Sequence, residues 1–450
     1  MLMLFLQQVF GRKSFRHGVH PDENKDSTSE HPVRRFPFAP QLIIPVRQGP
    51  GKPARLMVAK GQEVQRGQLL AEADGWMSVP VHAPASGTVV DTGLYLANSG
   101  RKEEHIVLAP FAGDSQLVPK SPGCSLDSTP EEIIAAVQQA GFVGMGGASF
   151  PTHVKLKVPE GMHVDTLLIN GVECEPYLTT DHRVMLEQRE EIYTGIRYLL
   201  RATGARRAVI GIEANKADAI EGIRSTIPDD LPLTVEALKV KYPQGAEKIL
   251  IASVLGREVP SGGLPASVHV VCCNVATAGE IGRLLPAGQG LVERVITVGG
   301  PAVLNPGNYL VPVGTPLRYL LDQLELREGV RRVVYGGPMM GQAVADLDVP
   351  VTKACSGILV FTDQEQAPAT EKTYPCIKCG HCLDACPVFL NPARLGFLAR
   401  SHEYETMEQD YHLRDCFECG ACSWICPSNI PLVQSFRVAK QVLKERKAAP

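Results

Sequence analysis

Cys376-Ile-Lys-Cys379-Gly-His-Cys382-Leu-Asp-Ala-Cys386-Pro387 and Cys416-Phe-Glu-Cys419-Gly-Ala-Cys422-Ser-Trp-Ile-Cys426-Pro427 decide how this chain is read. Both runs have the spacing C-x2-C-x2-C-x3-C-P. Three thiols set two residues apart can line one face of a metal centre, because the loops between them turn amides toward the sulfurs. The fourth cysteine is expected to begin a helix that leads away. Pro387 and Pro427 then block further backbone pairing. Zinc is the rival ligand, since C-x2-C pairs bind it tetrahedrally. It accounts less well for a triple run followed by C-P, twice over. Disulfides are not expected, because the chain is large and shows no secretory signal, so a reducing compartment is anticipated.

The spacing resembles that of bacterial ferredoxins, in which the fourth cysteine of each run serves the other cluster. The resemblance implies two 4Fe–4S clusters and one-electron transfer. Cys376, Cys379, Cys382 and Cys426 would hold one cluster. Cys416, Cys419, Cys422 and Cys386 would hold the other.

At 450 residues the chain is long enough for several domains. Apolar residues make up 44% and charged residues 21%, an ordinary globular balance. A formal charge of −3 provides no net positive field for nucleic acid. No stretch approaches the roughly 20 apolar residues of a membrane-spanning helix. Met1–Phe10 is apolar but far too short to span, and it has neither the basic start nor the cleavage site of a signal peptide. Residues 1–30 are therefore expected to form a disordered or packing arm, or a contact with a membrane partner. The polar stretch Arg12–Glu30 carries the expectation of disorder.

Working back from the cysteines, the polar stretch Thr362–Thr373 reads as a linker into a helical two-cluster domain over 367–450. The basic amphipathic segment Pro431–Lys447 closes that domain and reads as a solvated surface helix. Residues 291–345 carry short strands with Gly-Gly-Pro turns at Gly299 and Gly336, the pattern of a small β-grasp module, with a return strand and linker over 346–366. Residues 113–290 alternate strands (166–170, 208–212, 233–237, 268–271) with helices (188–203, 215–226, 245–255). This predicts a largely parallel α/β domain. Thr129-Pro130-Glu131-Glu132 marks a helix start. Residues 31–112 resemble the barrel-sandwich fold of biotinyl and lipoyl carriers. No lysine lies between Lys60 and Lys102, so the tip Asp74-Gly75-Trp76-Met77 carries no swinging arm. Trp76 is either a partner contact or a packed turn.

A second stretch with chemical content is Gly141-Phe-Val-Gly144-Met-Gly146-Gly147-Ala-Ser-Phe150-Pro-Thr-His-Val-Lys155. Glycines let backbone approach a flat or phosphorylated ligand, and Lys155 supplies charge. The run lacks the Gly-Lys-Ser/Thr of a Walker loop and follows a helix, unlike a Rossmann fingerprint. Downstream, Leu168-Ile-Asn170-Gly-Val-Glu173-Cys174-Glu175-Pro176-Tyr177 delivers an amide and two carboxylates just past a strand, where α/β sheets bind ligands. Glu173 and Glu175 alternate and so are expected to point apart. Cys124, Cys174, Cys272, Cys273 and Cys355 lack ligand spacing and read as free thiols. Cys174 is a candidate flavin neighbour. The twelve histidines form no metal-binding pair, and His381 and Trp424 read as packing residues.

The glycine loop resembles that of the NADH- and FMN-binding flavoprotein subunit of respiratory complex I. The acidic loop resembles that family's Asn-x-Asp-Glu-x-Glu-Pro. Tyr242-Pro-Gln-Gly245-Ala246-Glu247 and Cys273-Asn274-Val-Ala-Thr277 resemble two more of its motifs. With a barrel ahead and eight cysteines behind, the order is similar to the RnfC component of Rnf (Rsx) membrane electron-transport complexes. The resemblance implies FMN contacts at Gly144, Gly146, Gly147, Lys155, Asn170, Glu173, Tyr242 and Asn274. Phe150 and Glu175 would lie near the nicotinamide of NAD(H), and Glu247 would hold the nucleotide. Ala246, Cys273 and Val172 depart from the complex I pattern. Partners implied are the other subunits of a membrane complex, with ferredoxin or flavodoxin reached indirectly, at the cytoplasmic face of the inner membrane. Two alternatives stay open: a soluble cobalamin-reductase-like flavoprotein, and an electron relay that does not bind nucleotide.

Overall fold

The computed structural model describes residues 12–113, 116–362 and 372–448. The apolar start Met1–Phe10 and most of the expected linker lie outside the described residues. Among those described, no helix is long and apolar enough to cross a membrane.

Arg34–Arg35 (β1) leads into two small antiparallel sheets that enclose one core. Leu42–Pro45 (β2), Arg55–Leu56 (β3), Glu63–Val64 (β4), Leu69–Glu72 (β5), Val81–His82 (β6), Gly87–Leu96 (β7) and Lys102–Pro110 (β8) follow in turn. Their orders are β2-β8-β7-β4 and β3-β5-β6. Leu42, Ile44, Leu70, Val81, Ile106 and Leu108 fill the space between them, fully buried. The tip residue Trp76 is 44% exposed and held on one side only. Its ring meets the His153 ring edge-on at 4.8 Å, and its carbonyl pairs with the His153 imidazole.

Thr166–Gly171 (β9), Arg207–Glu213 (β10), Leu233–Leu238 (β11) and Val270–Asn274 (β12) form a wholly parallel sheet of order β11-β10-β9-β12. The chain runs outward from β9 to β11 and then returns to the other side of β9. The topological switch point therefore lies between β9 and β12, where such sheets open a crevice at their carboxyl ends. The helix Pro130–Gln139 starts with the expected capping box of Thr129 and Glu132.

Glu293–Gly299 (β13), Gly307–Pro312 (β14), Val330–Tyr335 (β15), Gln342–Ala343 (β16) and Gly357–Thr362 (β17) join β1 in the order β1-β14-β13-β17-β15-β16. The helix Leu317–Leu324 packs Leu317, Leu320 and Leu321 against this sheet. The return segment is more than an appendage. β17 lies at the centre of the sheet, parallel to β13 and antiparallel to β15, so the module extends to 362 rather than ending at 345. Its unbroken apolar run Ile-Leu-Val-Phe suits a strand buried on both faces.

The C-terminal domain is a doubled unit. Each half has a cysteine loop, a short helix (His381–Ala385; Ala421–Trp424) and a longer one (Pro392–Arg400; Leu432–Ala448). The fourth cysteine does not begin a helix, because Cys386 caps the end of the short one. The last helix is also more than a solvated surface element. Leu432, Phe436, Ala439 and Leu443 are buried against Leu395, Leu398 and Met407.

Residues 12–30 are ordered despite their polar composition. Lys13 bridges to Leu238 and Val19 to Tyr242, while the Lys25 amine reaches the carbonyls of Glu173 and Leu178. Polar groups that find backbone partners in this way tolerate burial.

Candidate functional site

Asn170 and Asn274 stand side by side in the register of β9 and β12, at the switch point. Asn274 Oδ1 accepts the amides of Ala276 and Thr277 and so caps the helix Val275–Leu284. Its Nδ2 donates to Asp181 at 2.7 Å. Asn170 donates to the Gly245 carbonyl and accepts from Val172. The two amides thus fix three loops around the crevice.

The glycine loop closes one side. Its path is held by Gly144 N–H on the Phe150 carbonyl at 2.8 Å, and by Met145 N–H on the Thr277 hydroxyl at 3.0 Å. Beneath it lies Arg294, fully buried, which donates to the carbonyls of Val295, Lys353 and Met145. The Lys353 amine donates to Pro80 and Gly141 at the start of the loop. Burial pushes that amine down to about 7. Gly147, at φ +100°, faces open space, where a Cβ would meet nothing within 4 Å.

The two acids do point apart. Glu173 accepts the Asp181 and His182 amides at the start of the helix Thr180–Glu187. Glu175 reaches the β-grasp module and accepts the amides of Met339 and Met340 at 3.0 and 2.8 Å. Burial pushes Glu175 up to about 7, against those two hydrogen bonds. Asp181 is also raised to about 7, first by burial and then by the neighbouring Glu173 charge. On the opposite wall Lys155 pairs with Glu247.

These elements enclose a cavity of about 900 Å³, within the range of small-molecule sites. All the residues expected to hold FMN or nicotinamide line it: Gly144, Gly146, Gly147, Phe150, Lys155, Asn170, Glu173, Glu175, Tyr242, Glu247 and Asn274. So does Cys174. Asn170, Glu173 and Asn274 are, however, already engaged within the protein and act as frame. The groups left to meet a ligand are the glycine backbone and the Lys155–Glu247 pair. The Thr152 hydroxyl has no hydrogen-bond partner among the described residues, but its oxygen is sealed off from the cavity space. Sequence reading missed Asp181, Arg294 and Lys353. Thr-Thr-Asp at a helix start could have flagged Asp181, but nothing local marks the other two.

In the C-terminal domain the backbone repeats at a forty-residue offset. Lys378 and Glu418, Gly380 and Gly420, and Phe389 and Asn429 all have positive φ. Successive amides turned this way form concavities that suit iron–sulfur groups. The Lys378 amide points at Cys376 Sγ and the Leu390 amide at Cys386 Sγ. Around Cys382 the thiols felt are those of Cys426, Cys379 and Cys376. Cys419 feels Cys416 and Cys386, and burial pushes its thiol up to about 12. Cys382 and Cys419 thus each have a thiol of the other run among their neighbours, although among the described residues no group of three or more side chains is arranged to hold a metal ion. Cys416 also lines the 900 Å³ cavity, whereas Cys376 and Cys379 are exposed.

Three family models match the chain: the RnfC barrel-sandwich hybrid domain at 13–111, the Nuo51 FMN-binding domain at 137–283, and a 4Fe-4S dicluster domain at 372–430. The RnfC-type component of the proton-translocating ferredoxin:NAD(+) oxidoreductase complex of Clostridium ljungdahlii is 41% identical over 431 residues, covering 95% of this chain and 93% of that one. This chain belongs to the RnfC family. The corresponding component of the Na(+)-translocating ferredoxin:NAD(+) oxidoreductase complex of Acetobacterium woodii is 40% identical over 437 residues, covering 96% of this chain and 98% of the relative. Among solved structures, an NAD+-reducing [NiFe]-hydrogenase is similar at a TM-score of 0.49 and 22% identity, covering 64% of this chain and 56% of that one. This RnfC chain is therefore a flavin and iron–sulfur component of a multisubunit ion-translocating complex. The zinc reading of the cysteines gives way to 4Fe–4S clusters, and the soluble-reductase reading to an RnfC-type N-terminal domain.

Proposed function

We propose that the chain passes electrons between NAD(H) and the remaining subunits of its complex, with FMN in the 900 Å³ cavity and two 4Fe–4S clusters beyond it. FMN, when bound, supplies the exchange between a two-electron nicotinamide and one-electron clusters. The single observation that carries the reading is that Cys416 and Phe417 line the same cavity as the glycine loop.

The protein's own groups each have a task. The backbone of Gly144–Gly147 offers close approach to a flat ring. Lys155, freed from Glu247, would meet a phosphate or ribityl oxygen. Glu175 and Asp181, both near neutrality, would hold or release a proton at their carboxylate oxygens. Phe150 would cover the nicotinamide, and Glu247 would hold its ribose. The set Cys416, Cys419, Cys422 and Cys386 would serve the flavin side. The set Cys376, Cys379, Cys382 and Cys426, with two exposed members, would serve the exit toward other subunits. Ferredoxin or flavodoxin would be met through those subunits, and the chain would sit peripherally at the cytoplasmic face of the inner membrane.

Anaerobically purified protein tests this. The expected result is bound FMN, about eight iron atoms per chain, and loss of flavin and cluster colour on adding NADH. Clusters without FMN, with a spectrum that ignores NADH, would leave only a relay.

A further inference from the structure

The polar strap that sequence reading expected to be disordered touches the flavin side and the cluster side at once. Val19 and Tyr242 exchange backbone hydrogen bonds in both directions, at 2.9 and 3.0 Å. One residue earlier, Gly18 N–H donates to the Ala385 carbonyl at 3.2 Å. One earlier again, His17 Nδ1 pairs with the carbonyl of Cys386 at 3.1 Å, and its ring packs on Phe389 at 4.6 Å. Tyr242 lines the flavin cavity, and its hydroxyl donates to the Cys419 carbonyl at 2.6 Å. The strap and Tyr242 therefore grip one cysteine from each run, Cys386 and Cys419, and the proposed function assigns both to the same cluster.

Steric fit sharpens the contact. Gly18 lies at φ +85°, and a Cβ there would fall 2.6 Å from the Tyr242 carbonyl oxygen. The strap is anchored at both ends. Upstream, Lys13 donates to the Val254 carbonyl at 3.0 Å. Downstream, the buried Lys25 amine donates to Leu178 at 2.7 Å. A free tail would need none of this.

We infer that residues 17–19 and Tyr242 form a clamp that sets the spacing between the flavin cavity and the cluster of Cys386, Cys416, Cys419 and Cys422, with His17 as a positioning residue for one-electron transfer between them. The inference rests on the proposed function, since it concerns transfer from reduced FMN to a bound cluster. In that step the flavin gives up one electron and the cluster gains it. His17 touches neither group and acts through the Cys386 backbone.

The test uses the full chain loaded with FMN and clusters. His17 has φ +62°, so His17→Gly removes the donor without backbone strain. His17→Asn keeps a donor on a residue that tolerates this conformation. Rapid mixing with NADH under anaerobic conditions follows the flavin and cluster bands separately. Amide exchange at Val19 and Tyr242 reports clamp opening independently of turnover. H17G is expected to retain FMN and iron and to reduce its flavin at the wild-type rate. Its cluster phase should slow by about tenfold, a modest cost for misplaced reacting groups, and exchange at Val19 and Tyr242 should rise. H17N should recover most of the lost rate. Three results would overturn the inference: faster amide exchange with an unchanged cluster phase, equal slowing of both phases, or loss of iron from H17G. If wild-type protein itself lacks FMN or ignores NADH, the proposed function fails first, a result visible before any variant is made.

Discussion

Arg294 donates from its guanidinium to the Met145 carbonyl at 3.3 Å, placing a fully buried cation directly under the glycine loop. Its other bonds run to Val295 and Lys353, and burial holds its pKa below the usual value. Arg294→Met would leave three buried carbonyls without that donor. A cost of ~2–3 kcal/mol is expected, read as a lower denaturation midpoint. Because Met145 carries the loop, FMN content should fall with it. Arg294→Lys, with fewer donors and no fork, should fall between the two.

The fourth cysteines allow the crossed pairing to be tested. Cys386→Ser should cost about four iron atoms and abolish cluster reduction by NADH, while the flavin still bleaches. Cys426→Ser should cost the same iron but leave one cluster reducible by NADH, because no cysteine of its proposed set lines the cavity. Iron analysis with EPR of the NADH-reduced variants checks both. Reversal of the two phenotypes would reverse the order of the clusters.

Glu175 gives a pH dependence of defined sign. Its carboxyl is raised from 4.5 to about 7 by burial, so the folded protein favours the protonated acid. That contribution to stability is fully present below pH 4.5 and is lost as pH rises through 7. Glu175→Gln keeps an acceptor for only one of the Met339 and Met340 amides, a cost that does not vary with pH, and cannot ionise. The FMN-free variant should gain on wild type steadily between pH 4.5 and 7, measured as the difference between their urea midpoints. A constant difference across that window would remove the assignment.

Much of this was legible because the chemistry is local. Ligation of a cluster by Cys376, Cys379 and Cys382 needs short spacing, and spacing is written in sequence. β9 announces itself as an apolar run that reaches Asn170, and the glycine loop is contiguous, whereas the strand expected over 268–271 starts two residues later and runs on to Asn274. What stayed hidden depends on distant partners. Lys13 to Lys25 read as solvated because no sequence pattern reveals that the Leu238 edge, Tyr242 and the acidic loop await them. The last helix read as a surface element because its apolar face, Phe436 and Ala439, is matched by residues as distant in sequence as Leu395 and Leu398. Arg294 and Lys353 read as ordinary polar positions, although both are buried against the glycine loop through partners far away in sequence.

Gly147 separates ligand loss from backbone strain. At φ +100° any side chain is strained, and its missing Cβ points into the open cavity. Gly147→Ala should therefore cost ~1–3 kcal/mol from conformation alone and also place a methyl group where the flavin ring is proposed to lie. Gly161 provides the control. It too has positive φ, at +79°, and no atom within 4 Å of an added Cβ, but it does not line the cavity. Gly161→Ala should show a similar drop in denaturation midpoint with FMN retained, whereas Gly147→Ala should lose FMN and keep its iron. Equal FMN content in the two variants would show that the open side of Gly147 faces no flavin.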